Sequence, residues 1–378
     1  MFLQRLGLRN FRNFEEEAVE FPERGAALIA DNGQGKTNLL EGVYYLEIFR
    51  SFRGARDEQL ITFGCGHFRV EGLLSDGEGG VEVAAAYARE SCRKKVTLDG
   101  REPGRMGEAI GHVGAIIFTA SDVEIVAGGP AARRRFLDIV LSLVEPGYLS
   151  ALQRYRQILS QRNELLRHGA SLTELAAWSA GLVFTGSRIT EARARWIAAR
   201  RASFAHYYGA ISGEPEAGLD YVPSVPRPGS GTEEGTPTRE GWSESFHSEI
   251  QRLADNERRR GLTLVGPHRD DVSFWVMGST ERLQLRSFGS AGQQRTAAIA
   301  LRMAEAESLR AARGRRPILM LDDVFAELDP QRAERVAGLL TAEKWGQVIV
   351  TSPKPTEFAL MGKSLAEYRI VGGRVNRL

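Results

Sequence analysis

At 378 residues the chain exceeds what one hydrophobic core usually serves, so two folded units are expected. Its 42% hydrophobic and 26% charged composition is that of an ordinary folded protein, and a formal net charge of +2 excludes neither an acidic nor a nucleic-acid partner. Two cysteines, Cys65 and Cys92, with no C-x-x-C spacing argue against a disulfide framework or structural zinc, and no apolar run reaches the eighteen residues of a membrane span. The opening "MFLQRLGLRNFRNF" interrupts its apolar pattern with arginines, unlike a signal peptide, so a soluble cytoplasmic protein without a membrane partner is expected.

In chain order, "FLQRLGLRNF" and "EEAVEF" alternate as a pair of strands. "GAALIA" is a short buried strand that feeds a glycine-containing loop, and a helix is expected over 38–49. "HFRVEGLL", "VEVAAAYA" and "CRKKVTLDG" predict half-exposed strands or hairpins, separated by "SDGEGG" and Asp99-Gly100, and "GAIIFTA" a buried strand ending near Thr119. Helical spacing then dominates through "AARRRFLDIVLSLV", "YLSALQRYRQILSQRNELLRHG", the long segment 171–211 and "SFHSEIQRLADNERRRG". Residues 222–241, rich in Pro, Gly, Thr and Ser, predict an exposed, poorly ordered excursion. Strands are expected again at "LTLVG", "DVSFWVMG" and "RLQLRSF". A helix near Gly292, the buried strand "PILMLDDV", a helix from Pro330, the strand "GQVIVTS" and a last hairpin follow. The pattern is α/β, then helical, then α/β: one α/β unit completed by both ends of the chain, with a helical lobe inserted. The expected divisions are 1–118, 119–261 and 262–378.

Three stretches carry chemistry. "ALIADNGQGKTNLLEG", residues 27–42, matches G-x-x-x-x-G-K-[ST] except that Ala30 stands at the first glycine. Gly33, Gly35, Lys36 and Thr37 could offer backbone N–H donors, a helix N-terminus, an ammonium for the outer phosphates and a hydroxyl for Mg²⁺; the alternative is an ordinary strand-to-helix turn. In "ILMLDDVFAELD", Asp322 is placed to hold Mg²⁺ and Asp323 to orient or deprotonate water, unless the two acids simply end a strand in solvent. Ser290 precedes a helix containing Gly292 and Gln293. It is either only an N-cap or part of a helix start that receives a γ-phosphate.

Taken together, "GQGKTN", "SAGQQR" and "LMLDDVFAELD" resemble the P-loop, signature motif, Walker B and D-loop of an ABC-type ATPase. "LGLRNFRNF", "SFRGARDEQLI", "FTASDVEIVAGGPAARRRFLD" and "GPHRDD" are similar, in the same order along the whole chain, to the bacterial RecF recombination-mediator family. The resemblance implies an α/β ABC-type P-loop ATPase head, SMC-like, with an inserted helical lobe and no long coiled coil. It implies ATP and Mg²⁺ as cofactors, with Ala30, Asp31, Asn32, Gly33, Gln34, Gly35, Lys36, Thr37 and Asn38 around the nucleotide. Thr37 and Asp322 would serve the metal, and Asp322, Asp323 and Lys36 catalysis. Ser290, Gly292 and Gln293 would reach ATP on a second copy, Asp329 would lie across that interface, Thr351 and Ser352 would occupy the switch region, and Arg53 would approach the nucleotide. Phe52, Ala120 and Ala326 stand where the family often has His, Pro and Ser.

Twelve arginines, no lysine and five acids fall between Pro130 and Ala205, which points to a surface for the DNA backbone rather than base reading, or else to solvated helix faces. The resemblance further implies an ATP-dependent homodimer on double-stranded and gapped DNA with slow hydrolysis, RecR as a partner, and an indirect link to recombinase and single-strand-binding protein. Its rivals are a transporter ATPase subunit, a structural or nuclease-associated repair ATPase, and a nucleotide-dependent structural or binding protein without significant turnover.

Overall fold

The computed structural model describes residues 1–75, 79–213, 216–229, 237–341, 345–354, 358, 361 and 365–378. Strands β1 (Phe2–Phe11), β2 (Phe14–Glu20) and β3 (Gly25–Ile29) lead into helix α1 (Lys36–Ile48); β4 (His67–Ser75), β5 (Gly80–Ala88), β6 (Arg93–Leu98), α2 (Met106–Ala109) and β7 (Ala115–Thr119) follow. Next come α3 (Val123–Ala127), α4 (Pro130–Val144), α5 (Tyr148–Arg167), α6 (Leu172–Ser212), β8 (Ala217–Val222) and α7 (Arg239–Arg260). After β9 (Asp271–Met277), β10 (Arg282–Gln284), α8 (Leu285–Phe288) and α9 (Ala291–Arg313) come β11 (Ile318–Asp322), α10 (Pro330–Leu340), β12 (Val348–Ser352), β13 (Ala366–Val371) and β14 (Arg374–Arg377). Two compact units result, Met1–Asp122 with Glu305–Leu378, and Val123–Ala304. No helix among the described residues is long and apolar enough to cross a membrane.

The first unit joins both ends of the chain through two sheets. One is antiparallel, ordered β2-β1-β4-β5-β6; the other is ordered β14-β13-β3-β12-β11-β7, parallel except for the β13–β14 hairpin. Strands β3, β11 and β12 are buried at every residue, as expected for parallel strands covered on both faces, whereas β4 alternates exposed and buried positions. Helix α1 buries ten of its thirteen residues, because Leu39, Leu40, Val43, Tyr44, Tyr45 and Leu46 join a core that also takes Leu6 and Phe68 from one sheet and Leu28 and Ile349 from the other. A helix apolar on nearly all sides has no solvent face to choose, so its position under the phosphate loop is fixed by packing. Gln347 ties the two sheets: its amide accepts from Leu3 N at 3.0 Å and donates to Leu3 O and Pro22 O at 2.9 Å.

The second unit is mostly helical. Helix α4 starts with Pro130 at its first position, and α6 starts with a reciprocal cap in which Ser171 Oγ accepts from Glu174 N and Glu174 accepts from Ser171 N. Strands β10-β9-β8 form a small antiparallel sheet in the same unit. This sheet moves the division away from the expected 261/262 boundary: β9 pairs with β8 from before α7, so the chain from 262 to 304 stays with the helical segment.

Four local expectations are corrected. Residues 217–222 form a strand that the Pro/Gly-rich texture just beyond them obscured. "LTLVG" is not a strand; Thr263 N donates to Asn163 Oδ1 and Leu264 N to Glu257 Oε1, so side chains replace the ladder. "RLQLRSF" is strand only to Gln284 and then turns into α8. The start of the 222–241 excursion is anchored, since Val225 is fully buried and Ser224 N donates to Asp270 Oδ1 at 2.9 Å. Residues 230–236 of that segment, and 76–78 of "SDGEGG", lie outside the described residues.

Candidate nucleotide-binding site

The loop between β3 and α1 wraps the end of the parallel sheet. Gly33 and Gly35 take φ of 83° and 113°, a region that disfavours side chains, and a Cβ on Gly35 would meet Asn13 at 2.6 Å. Ala30 is absent from the residues with positive φ, so its methyl is accommodated without strain and packs into the core. Gly35 caps α1 with no side chain bonded to the helix start and no acid in the first turn. That leaves the positive end of the helix available to an anion.

Lys36 is only 4% exposed. Its ammonium donates to Ala30 O at 2.7 Å, lies 3.5 Å from Asn32 Oδ1 and 3.5 Å from Asp323 Oδ1. Asp323 itself sits at φ 51°, a left-handed position uncommon for aspartate, and its amide donates to Thr351 Oγ1 at 3.0 Å. Thr351, fully buried at the tip of β12, also reaches Asp322 Oδ1 at 3.0 Å. Burial holds the Asp322 carboxyl above its ordinary value; hydrogen bonds from Thr37 and Thr351 oppose that push, the charge of Asp323 adds to it and that of Lys36 offsets it. The structure therefore brings together Ala30, Asn32, Lys36, Thr37, Asp322 and Asp323.

Gln34 and Asn38 are held from behind by Asn13, which donates to Gln34 O at 3.1 Å and accepts from Asn38 Nδ2 at 2.8 Å. Asp31 O accepts from Gln34 N at 3.4 Å, closing the turn. Arg53 donates to Asn38 Oδ1 at 3.2 Å and lies 3.9 Å from the buried Glu41 carboxylate, which Arg12 grips with two hydrogen bonds of 2.8 and 3.0 Å. Asn13 and Thr351 are the positioning groups whose bonding sequence reasoning missed. Asn13 lies within the quoted "LGLRNFRNF" and Thr351 at the expected switch, but neither pattern discloses a partner.

Ser290, Gly292 and Gln293 lie in the other unit. Ser290 is an N-cap: its hydroxyl accepts from Gln293 N at 3.2 Å while Gln293 Oε1 accepts from Ser290 N at 3.0 Å. Asp329 caps α10 through Arg332 N at 3.0 Å. Among the described residues no cluster of three or more His, Cys, Asp or Glu could hold a metal. Thr37 and Asp322 can supply two oxygen ligands of the hard-cation kind, with nucleotide phosphates and water as the remainder.

A model of the RecF/RecN/SMC N terminal domain matches residues 2–371. A DNA replication and repair protein RecF of Synechococcus sp. (strain JA-2-3B'a(2-13)) is 38% identical over 360 residues, covering 92% of each chain. The chain belongs to the RecF family. A solved structure of the recombination mediator protein RecF with ATPrS in the RecFOR pathway matches with a TM-score of 0.88 at 29% identity, covering all of this chain and 98% of that one. The Smc head domain of Pyrococcus furiosus, bound to the C-terminal domain of ScpA, matches with a TM-score of 0.56 at 15% identity and shares the fold. The fold is the α/β P-loop ATPase head common to RecF and SMC proteins.

The arginine-rich segment divides into two classes in this RecF-family chain. Arg133, Arg162 and Arg193 are each 2% exposed and cannot face DNA. Arg133 pairs with Asp271 at 2.5 Å, and Arg162 with Glu257 at 2.6 Å. Arg193 contacts Asp138 at 2.8 Å, Asp270 at 3.2 Å and Pro267 O at 2.6 Å. A buried guanidinium satisfies several acceptors in a fixed plane, which is why Arg rather than Lys occupies these places. "GPHRDD" is thus a structural keystone of the second unit, with Asp270 also accepting from Ser224 and Tyr221.

Proposed function

We propose that this chain is an ATP-binding DNA replication and repair protein that acts as a recombination mediator, its nucleotide seated on the loop 30–37. The observation that carries the reading is the Lys36 ammonium, nearly enclosed yet set at an uncapped helix start between a carbonyl and Asp323. A triphosphate is the chemistry that such a lysine, the free helix end and paired carboxylates suit together. Lys36 holds the outer phosphates, and Gly33, Gln34, Gly35 and Thr37 line them with backbone N–H groups. Thr37 and Asp322 are the residues that would hold Mg²⁺, which supplies neutralisation of phosphate charge. Asp323, held by Thr351, orients or accepts a proton from attacking water.

The exposed Ser290 cap faces no acid in its own first turn and serves the nucleotide of a second copy, so ATP assembles a homodimer. The dimer binds double-stranded and gapped DNA through backbone contacts, works in the cytoplasm and on the nucleoid, and meets RecR, with recombinase and single-strand-binding protein downstream. Hydrolysis is slow. The test measures ATP binding, mass in solution and binding to gapped DNA with and without ATP, for wild type, Lys36→Met and Ser290→Arg. Lys36→Met loses ATP binding and the dimer; Ser290→Arg keeps ATP binding and loses the dimer. ATP binding by Lys36→Met equal to wild type, or a dimer formed normally by Ser290→Arg, refutes the reading.

A further inference from the structure

Beyond the nucleotide loop, the second unit holds a cationic cleft of about 210 Å³, lined by Arg134 and Arg135 of α4, Arg156 of α5, and Arg193, with Asp138 as the only acid among its lining residues. The carboxylates near it are shared among several cations, and the lining sets four guanidinium groups against one carboxylate. Asp138 Oδ1 accepts from Tyr148 OH and Arg193 NH2 at 2.8 Å each, and its Oδ2 from Arg156 at 2.9 Å. Asp270 takes Arg193 at 3.2 Å and Ser224 N at 2.9 Å. Arg134 donates to the neutral carbonyl of Asp270 at 2.8 Å, which leaves its charge uncompensated by that bond. Burial and then the charge of Arg193 push the Arg134 pKa down, and the carboxylates of Asp271, Asp270 and Asp138 oppose that push.

We infer that this cleft is a discrete phosphate-binding subsite for the backbone of a nucleic-acid strand, lined by Arg134 and Arg135 and by Arg156, which is anchored through one nitrogen on Asp138 at 2.9 Å. The guanidinium forks of two different helices converge on one space, the arrangement that takes a tetrahedral anion through several N–H donors at once. The first turn of α4, which carries no acid and no side-chain cap, adjoins the cleft at Ala131 and adds a favourable field. The one phenol ring in the lining is no platform for a base: Tyr155 is 2% exposed and its hydroxyl is taken by His268 Nδ1 at 2.6 Å. The subsite therefore reads phosphate and not sequence. Burial lowers His268 to about 4, so it stays neutral and the cleft's charge is constant across physiological pH.

This inference rests on the DNA-binding part of the reading above, and its test separates the two. Arg134→Gln combined with Arg156→Gln leaves Asp138 paired with Arg193, so the fold is retained; far-ultraviolet circular dichroism and urea unfolding verify this. The reference is Arg154→Gln with Arg167→Gln, which removes the same charge from the exposed face of α5. Binding of inorganic phosphate is measured by calorimetry for all three in a Lys36→Met background, which disables the nucleotide loop's own phosphate site, and binding of a gapped duplex by fluorescence anisotropy over a salt series with Lys36 intact. The cleft variant loses phosphate binding and at least tenfold in duplex affinity, with the slope of log affinity against log salt smaller by about 2; the reference pair changes neither beyond about twofold. Equal losses in both variants, or no phosphate binding with the cleft intact, overturn the subsite. Phosphate binding lost with duplex affinity unchanged assigns the cleft to free phosphate and overturns the nucleic-acid source. An intact cleft that binds phosphate in a protein that binds no DNA refutes the DNA reading alone, and with it the source but not the cleft.

Discussion

Thr351 supports both acidic residues of the site, and its replacement by valine isolates that role. The swap keeps shape and removes a fully buried hydroxyl that accepts from Asp323 N and reaches Asp322 Oδ1, each at 3.0 Å. An orphaned buried amide costs about 1–3 kcal/mol, and a lost bond to a carboxylate about 1.5–3 kcal/mol. Because the two share one hydroxyl they do not simply add, and a destabilisation of about 2–4 kcal/mol is expected. Thr351→Ser keeps the hydroxyl and loses a methyl group, at about 1 kcal/mol. Turnover should separate the pair further. Asp323 occupies a left-handed conformation that costs of order 1–3 kcal/mol and needs its anchor. Without the anchor the carboxylate drifts from Lys36, lowering kcat about tenfold or more with KM for ATP little changed. Urea unfolding and phosphate-release kinetics on both variants supply the assay. Valine and serine variants of equal stability, with kcat preserved in valine, would refute the assignment.

Other consequences follow from single contacts. Arg193→Met leaves Asp138 and Asp270 buried without their shared cation and should cost about 3–5 kcal/mol in urea unfolding, whereas the exposed Arg154→Gln should stay within about 0.5 kcal/mol; equal effects would show that the buried arginine is not a keystone. Burial raises the Glu47 carboxyl from 4.5 to about 7, so the folded state holds that proton more tightly than the unfolded chain does. Its stabilising contribution is complete below pH 4.5 and is lost as pH rises through about 7, by about 3 kcal/mol in all. Glu47→Gln should remove this slope, and denaturant midpoints that fall in parallel for both proteins across pH 4.5 to 8 would contradict it. A Cβ at Gly186 would lie 2.4 Å from Phe246 Cε1, so Gly186→Val should destabilise by about 1–3 kcal/mol; Gly338, with nothing within 4 Å, should gain about 0.5–1 kcal/mol on replacement by alanine. Reversal of that order in thermal unfolding would count against the packing of α6.

Much of the first unit was legible because its strands and loop carry local signals. β3, β7 and β11 are short apolar runs bounded by glycine, proline or acid, and the α1 start is marked by glycines needed for positive φ. The second unit hid more. β8 follows a 41-residue helix and precedes a Pro/Gly-rich stretch, so its six residues had no pattern of their own length to display; only pairing with β9, some fifty residues on, makes them a strand. The same non-local cause defeats "LTLVG", whose alternation is strand-like but whose amides are claimed by Asn163 and Glu257 from two helices.

The site shows a sharper limit. A motif specifies backbone geometry, and where backbone atoms do the binding, letters can change without loss. Ala30 illustrates this: it meets Lys36 with its carbonyl at 2.7 Å, an atom every residue has, while its methyl replaces a hydrogen on the side that faces the core. What the position demands is a small residue without positive φ, and alanine meets that demand. Arginine fails as a sequence signal for the opposite reason. Its function is carried wholly by the side chain, and the same helical spacing places Arg133 on Asp271 inside the fold and Arg134 on the rim of a cleft one residue later. Composition counts both as positive charge, but a guanidinium enclosed on a carboxylate inside the fold cannot reach a phosphate, whereas one on the rim of a cleft can. The charge excess of 130–205 therefore overstates the cationic surface until its interior ion pairs are removed from it.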